Sequence, residues 1–430
     1  MTSETNVGFC RPLSPFERQF CFLCASLILA SLVTSASEVV QLFSGSAITT
    51  VKVTSTLRLI REAIYFLILG DFLLLILTAP RSPLISRGAI LFASAALTWI
   101  GICTYFSLAI GLPLLVVITG LRFIEYAPLV LVAIITYRIG SDRPFVLIGK
   151  AIFFFLIVES IAGLIETRLP IPFWGRTFIG ARSFGTFTSP NIFGPTMAFC
   201  YLYVRATLPS RWHRCAFPIV LFDVFASGSR AGVVSFLIII GIYGLNSLRN
   251  IWMRAFALLA SAVSAPVLLL LVTSPAITGR ATGLGVGGYE RIGVWSQMLK
   301  KVNSVSDFLL GWGVGLGSNT IFSIYGYDFK GAYISDNTLF FLQGSFGFIG
   351  VVFFVFTLGW LAWRLRDDPA GLAGVAAFAL LLLVSQALEV YPVNVLAMIL
   401  FGWRLAVSSG SLECYSAPLV RSYERSSLQA

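Results

Sequence analysis

Charged side chains are scarce in this chain: Asp, Glu, Lys and Arg together make up 11% of its 430 residues. Soluble globular proteins carry roughly 25% charged residues. The mean hydropathy is +0.89, and 57% of the residues are hydrophobic. A chain with so little charge cannot cover its surface with water-compatible side chains. This excludes a soluble globular protein and predicts one that resides in a membrane.

Histidine and paired cysteines are also lacking. The single histidine is His213, and the one C-x-x-C, at Cys21 and Cys24, lies inside an apolar run where a redox or zinc site is not expected. No cysteine pair between the apolar runs would build a disulfide framework. No carboxylate cluster there has metal-ligand spacing. We therefore expect no cofactor and no metal.

Twelve apolar runs are long enough, or nearly long enough, to cross a bilayer, for which a helix needs about 20 residues. They are 19–36, 58–79, 88–106, 113–137, 145–166, 191–207, 214–229, 230–247, 253–274, 337–363, 370–388 and 393–408. This pattern predicts an all-α polytopic membrane protein of about 12 transmembrane helices. Residues 1–274 would hold helices 1–9, 275–336 a large loop with short helices, and 337–430 helices 10–12 and a tail.

The short connections show an alternation of arginine that sets the orientation. Arginine pairs occupy every second connection: Arg81 and Arg87, Arg138 and Arg143, Arg211 and Arg214, Arg249 and Arg254, Arg364 and Arg366. Positive residues mark cytoplasmic loops, so both termini are predicted to be cytoplasmic. The exported connections are then 37–57, 107–112, 167–190, the turn at Arg230, 275–336 and the turn at Tyr391-Pro392.

Several arginines run against this trend because they lie in exported connections: Arg168, Arg176, Arg182, Arg230, Arg280 and Arg291. Long loops are translocated regardless of charge, which explains Arg280 and also Arg176. The alternative is anion binding, since the planar guanidinium matches phosphate oxygens and keeps its charge when desolvated. The net charge of +11 therefore favours an anionic ligand at the membrane surface over nucleic acid.

Three exported stretches carry the functional argument. The first, 180–191, is a Gly/Ser/Thr-rich loop with Arg182 that leads into a helix, for which Ser189 and Asn191 are candidate caps. The second is the small-residue turn Ser227-Gly-Ser-Arg230-Ala-Gly. The third contains the following elements: Arg291 and Trp295, the glycine-rich segment 311–317, Asp336-Asn337, and the pair Gly347 and Gly350.

In this order and on this scaffold, the three stretches resemble the O-antigen ligase and polysaccharide polymerase superfamily. The resemblance covers residues 170–360 well, and the first five helices only by hydropathy. It implies a GT-C-like fold and metal-independent glycosyl transfer at the periplasmic face of the bacterial inner membrane. The donor would be a polyprenyl-diphosphate-linked oligosaccharide and the acceptor a saccharide, with polysaccharide export or chain-length proteins as partners and no nucleic acid.

The resemblance also implies roles for single residues. Arg230 and Arg291 would hold the diphosphate, and Asp336 would assist deprotonation of the acceptor or merely cap the helix after it. Predicted substrate-binding residues are Arg182, Asn191, Asn337, Glu166 and Trp295. Ligases that attach O-antigen to lipid A core carry histidine where this chain has Asp336, and this departure favours a polymerase over a ligase.

Ionisable residues inside the predicted helices leave a rival function open. They are Asp71, Arg122, Glu125, Glu159, Glu166 and Asp223. Arg122 and Glu125, three positions apart, are interpreted as a structural pair, whereas Asp71 is expected to pair with a neighbouring helix or to belong to a proton pathway. A secondary transporter or a lipid-linked sugar flippase would use such groups, although the long loop 275–336 has no counterpart in the first half.

The orientation predicts which loops can be labelled from outside. In a Ser318→Cys variant, a membrane-impermeant maleimide added to intact cells should react, because residue 318 lies in the long exported loop. Labelling that occurs only after the membrane is opened would contradict this orientation and the periplasmic site together.

Overall fold

The computed structural model describes residues 13–43, 55–78, 87–168, 176–177, 180–187, 189–248, 300, 302, 304–317, 338–384 and 391–408. Within these residues the chain forms thirteen α-helices, a single 3-10 turn (Arg122–Ile124) and a two-stranded hairpin of β1 (Arg176–Thr177) and β2 (Gly180–Ala181). The helices are α1 Pro15–Phe43, α2 Ser55–Thr78, α3 Arg87–Ala109, α4 Leu114–Leu121, α5 Pro128–Ile139, α6 Arg143–Arg168, α7 Pro190–Thr207, α8 Ser210–Ser227, α9 Arg230–Ser247, α10 Val305–Leu310, α11 Thr338–Arg364, α12 Pro369–Val384 and α13 Val393–Ser408.

The described helices have the length and surface of membrane spans. Five are long and apolar enough to cross a bilayer, and α12 and α13 are shorter apolar helices. The five are Leu91–Ala109, Leu114–Ile139, Arg143–Arg168, Arg230–Ser247 and Thr338–Arg364. Large apolar side chains such as Phe22, Leu91 and Phe356 point outward and are more than half exposed. Lipid tails cover such a surface at no cost, so the prediction of an all-α membrane protein is confirmed.

Two of the predicted spans are not continuous helices. The predicted segment 113–137 is divided into α4 and α5, with the 3-10 turn between them. Pro128 begins α5 and has no N–H to donate to the preceding turn, which explains why the helix stops before it. The helix α11 changes direction at Gly347, whose φ of 64° is left-handed. The predicted segment 253–274 lies outside the described residues.

The centre of the bundle is α7. From Phe193 to Val204 its residues are all buried, and it packs against α6, α8, α9, α12 and α13. Glycines permit the closest of these contacts, since a Cβ on Gly232 of α9 would lie 2.8 Å from the Cα of Gly194. Helix association in membranes depends on this kind of small-residue packing.

Two of the connections predicted to be cytoplasmic lie at the same end of the bundle, beside the end of α13. Asp142, between α5 and α6, accepts a hydrogen bond from the indole of Trp403 near the end of α13 (2.9 Å). Asp368, between α11 and α12, accepts two hydrogen bonds from Arg404 (2.6 and 2.7 Å). The ends of α5, α11 and α13 therefore lie on the same side of the bundle, as the arginine pattern predicts.

Part of the long loop 275–336 enters the helix bundle. The segment 311–317, after α10, packs between α3, α4 and α11, and its N–H groups find acceptors there. Trp312 and Gly313 donate to the Gly344 carbonyl (2.6 and 3.2 Å), Val314 to Ser107 Oγ (2.8 Å) and Gly315 to Ser345 Oγ (3.4 Å). Buried irregular backbone requires such internal partners.

Glycine is required at the closest contacts of this segment. Gly315 has a φ of +95°, and its backbone lies against Gly120 of α4. A Cβ on Gly120 would overlap the backbone nitrogen of Gly315, which cannot rotate away as a side chain can. The repeated glycines of the segment therefore serve backbone-to-backbone packing.

Gly120→Ala should destabilise the protein by about 1–3 kcal/mol, the usual effect of overpacking. Gly241→Ala in α9 is the matched control, because no described atom lies within 4 Å of its added Cβ. Alanine is less flexible than glycine in the unfolded chain, so the stability of this variant should be unchanged or higher. Thermal unfolding in detergent measures both. Equal melting temperatures would contradict the close contact between α4 and the segment 311–317.

Candidate functional site

The loop that follows the hairpin is hydrogen-bonded to two buried carboxyl groups of α6. Glu166 accepts hydrogen bonds from the N–H groups of Phe184 and Gly185 (both 2.8 Å). Glu159 accepts from the N–H and the hydroxyl of Thr186 (2.8 and 2.6 Å). Together these four bonds fix the backbone of residues 184–186.

The same loop is bonded on its other side to the end of α8. Arg182, which is buried, donates from Nε to the carbonyl oxygen of Ser227 (2.8 Å), and the N–H of Ser183 donates to the carbonyl of Ala226 (3.0 Å). Gly185 has a φ of +59°, where a side chain would be strained and would collide with the ring of Phe193. The loop is therefore held between α6, α7 and α8.

The turn between α8 and α9 is built from the predicted Ser-Gly-Ser-Arg stretch. Gly228 ends α8 in the left-handed conformation (φ 58°). Ser229 caps α9, its side chain accepting from the N–H of Gly232 (3.3 Å), and Ser227 Oγ accepts from the N–H of Ser229 (3.1 Å). Arg230 is the first residue of α9 and is half-buried. Its side chain therefore projects from the N-terminus of a helix, where the helix dipole favours anions.

The structure places Arg182 at the turn that leads to Arg230, since Arg182 donates to the carbonyl oxygen of Ser227, three residues earlier. Asn191 is exposed near the beginning of α7. The N-cap of α7 is Ser189, whose side chain accepts from the N–H of Asn191 (3.2 Å). Asn191 is thus the second residue of the helix, and its interpretation as a cap was wrong. Contact of its side chain with substrate stays a prediction.

Glu166 has a role that the sequence did not reveal. It is buried, and its Oε2 accepts both loop amides. This makes it a positioning residue for the Arg182 loop, and direct contact with substrate stays a prediction. Glu159 positions the same loop. The sequence did not predict it as a site residue, because a side chain that accepts from a backbone amide far along the chain leaves no local sequence pattern.

The remaining predicted site residues, Arg291, Trp295, Asp336 and Asn337, lie outside the described residues. Thr338, which follows Asn337 in the chain, begins α11 and is buried. The first turns of α11 lie against the segment 311–317, through the Gly344 carbonyl. Two parts of the third stretch are therefore adjacent, although they are separated by about twenty residues of sequence.

A second polar cluster occupies the break between α4 and α5. Arg122 lies 3.4 Å from Glu125, which confirms the predicted pair, and also 3.4 Å from Glu62 of α2. Arg61 pairs with its neighbour Glu62. The two arginines and two glutamates balance in charge. The sequence signal that was missed is the Arg-Glu dipeptide inside the second apolar run.

Aromatic hydroxyls and rings complete this cluster. The Tyr65 hydroxyl donates to the carbonyl oxygen of Glu125, which the helix break would otherwise leave without a helical partner. The guanidinium of Arg61 lies 4.5 Å from the ring centre of Tyr391, within range of a cation–π interaction. The cluster thus ties the unwound stretch to α2 and to the turn before α13.

The other intramembrane acids have local partners. Asp223 is fully buried and accepts from the hydroxyl of Ser160. Asp71 interacts with Gln19 of α1, as expected for pairing with a neighbouring helix. Among the residues that the structure describes, no three His, Cys, Asp or Glu side chains could hold a metal ion; independence from metal stays a prediction.

The single histidine is remote from this site. His213 lies near the beginning of α8, roughly 20 Å along that helix from Ser227. Burial and the positive charges of Arg205 and Arg214 lower its pKa. An imidazole of this chain therefore cannot serve the Arg182–Arg230 site.

No protein-family model matches the chain, and no curated protein matches its sequence. The class is therefore defined by the fold and the site alone. The chain is an all-helical membrane protein in which a polar loop, bonded to buried carboxylates, meets an arginine-bearing helix N-terminus. Any narrower assignment depends on the chemistry of these residues.

Glu166→Ala should destabilise the protein by about 2–4 kcal/mol, because two buried N–H groups would lose their acceptor. Glu166→Gln keeps an acceptor oxygen and should recover part of the loss. Asp367→Ala, which removes a carboxylate that is 92% exposed, is the control and should be neutral. Thermal unfolding measures stability, and limited proteolysis reports on the loop. A neutral Glu166→Ala would show that the loop does not depend on α6.

Proposed function

We propose that the protein is a polymerase-type glycosyltransferase that joins polyprenyl-diphosphate-linked saccharide repeat units into a surface polysaccharide. It would act at the periplasmic face of the bacterial inner membrane, on a GT-C-like scaffold of about 12 transmembrane helices. One observation carries the proposal. Arg182 and Arg230, both in connections predicted to be exported, belong to one hydrogen-bonded unit at one end of the bundle.

Such a unit suits a diphosphate leaving group. As the glycosidic bond to the donor breaks, negative charge grows on the diphosphate, and fixed cationic donors stabilise it without a metal. Arg230 supplies a guanidinium at the N-terminus of α9, where the helix dipole favours the same negative charge. Arg291 would complete the clamp from the long loop, and Arg182 would bind the donor beside it.

The acceptor hydroxyl must lose its proton, which requires a base within hydrogen-bonding reach. Asp336 is our candidate, with Asn337 and Trp295 beside it to bind the saccharide. The one imidazole lies far along α8 from the Arg230 turn. This distance favours the polymerase over the ligase alternative, in which a histidine takes the position of Asp336.

The second polar cluster favours a different candidate. A helix that is broken within the membrane and carries Arg122 and Glu125 beside Glu62 is typical of transporters, including flippases of lipid-linked sugars. The two functions differ in which charges they need. A transporter should stop when Glu62 and Arg122 are both neutralised, whereas a polymerase that still folds should retain activity.

The polymerase predicts a specific loss for Asp336→Asn. Purified protein in liposomes, given a polyprenyl-diphosphate oligosaccharide, should extend chains about 10²–10⁴-fold more slowly, the usual contribution of a general base. Donor binding should be nearly unchanged. Asparagine caps a helix about as well as aspartate, so the substitution separates chemistry from capping, and Asp336→His should retain some activity.

Asp307→Asn, the same change in the described part of the same loop, is the matched control and should extend chains normally. Full turnover by Asp336→Asn would remove Asp336 from the mechanism. Transfer to lipid A core without chain extension would select the ligase. Movement of the intact lipid-linked sugar across the bilayer without any new glycosidic bond would select the flippase.

A further inference from the structure

A cavity of about 560 Å³ lies between α3, α5, α11 and α13. Its volume falls within the range of sites that hold small molecules, roughly 300–1,000 Å³. The wall is mostly apolar, with Phe92 of α3, Phe353 of α11 and Phe401 of α13 among its side chains. It accepts an apolar chain, and it is separate from the Arg182–Arg230 site.

Charge is confined to one end of this cavity. Among the described residues that line it, Arg138 and Arg364 are the charged ones, and none is acidic. Arg138 lies in the last turn of α5 and Arg364 ends α11. Both belong to connections predicted to be cytoplasmic. The opposite end is lined by Phe123 and Phe346, which offer no charge to a ligand.

Aromatic rings place the Arg364 guanidinium at this end. It lies 5.9 Å from the ring centre of Trp360 and 5.6 Å from that of Trp363. Tryptophan is enriched at the level of lipid head groups, and Trp360 also lines the cavity. From this preference we expect the cationic end of the cavity at the level of lipid phosphates.

We propose that this cavity binds an anionic phospholipid of the leaflet at that end. Its phosphate would lie between Arg138 and Arg364, and an acyl chain would extend along Phe92 and Phe353. A diphosphate-linked donor with its head at the exported face does not fit as well, because the cationic residues stand at the other end. The lipid site goes beyond the proposed function and holds equally for a polymerase or a transporter.

Native mass spectrometry of the full chain, delipidated and then titrated with phosphatidylglycerol or with phosphatidylcholine of equal chain length, tests the proposal. The wild type should retain phosphatidylglycerol selectively. The double variant Arg138→Gln/Arg364→Gln should bind it about thirtyfold more weakly, the combined effect of two charges at the membrane surface. Arg211→Gln/Arg214→Gln removes two exposed arginines that do not line the cavity and should bind like the wild type.

A second pair of variants tests the apolar part while both arginines remain. Ala96→Phe fills the cavity from α3 and should abolish retention, whereas Ala95→Phe, on an exposed and non-lining position of the same helix, should not. Melting temperatures confirm that the variants fold. Equal binding of both lipids, equal losses in the two arginine variants, or retention of a polyprenyl phosphate in place of the phospholipid would overturn the proposal.

Discussion

Buried backbone that leaves the helical conformation needs a polar partner within the protein, and the described structure depends on how this requirement is met. The loop 182–187 uses the carboxylates of Glu159 and Glu166. The segment 311–317 uses the Gly344 carbonyl and two serine hydroxyls. Glu159 and Glu166, which lower the hydropathy of α6, thereby support an irregular segment.

These supports explain why the candidate site can be both polar and rigid. A guanidinium that must meet a growing negative charge works best when it is already in position. Arg182 is fixed because its own loop is bonded to α6 on one side and to the carbonyls that end α8 on the other. Arg230 is positioned by the capped start of α9. Both arginines thus lie on backbone that is fixed before any ligand binds.

Hydropathy predicted the positions of the described helices well, because an apolar run of the right length has few other structures in lipid. It missed the break before Pro128 and the bend at Gly347, since both stretches remain apolar on average. The Arg122–Glu125 pair was predictable from its spacing, whereas Glu62 was not, because its partner comes from another helix. The arginines of the site were identified by their conflict with topology. The positions of Arg291 and Asp336 stay predictions.

The burial of α7 on all sides has a consequence for biogenesis. Its partners include α12 and α13, which are synthesised after it; Phe199 meets Phe378 of α12, and Tyr203 meets Trp403 of α13. During synthesis α7 must therefore remain in contact with lipid or with an incomplete set of neighbours until α12 and α13 insert. The central layer of the bundle is therefore completed only once α12 and α13 have been synthesised.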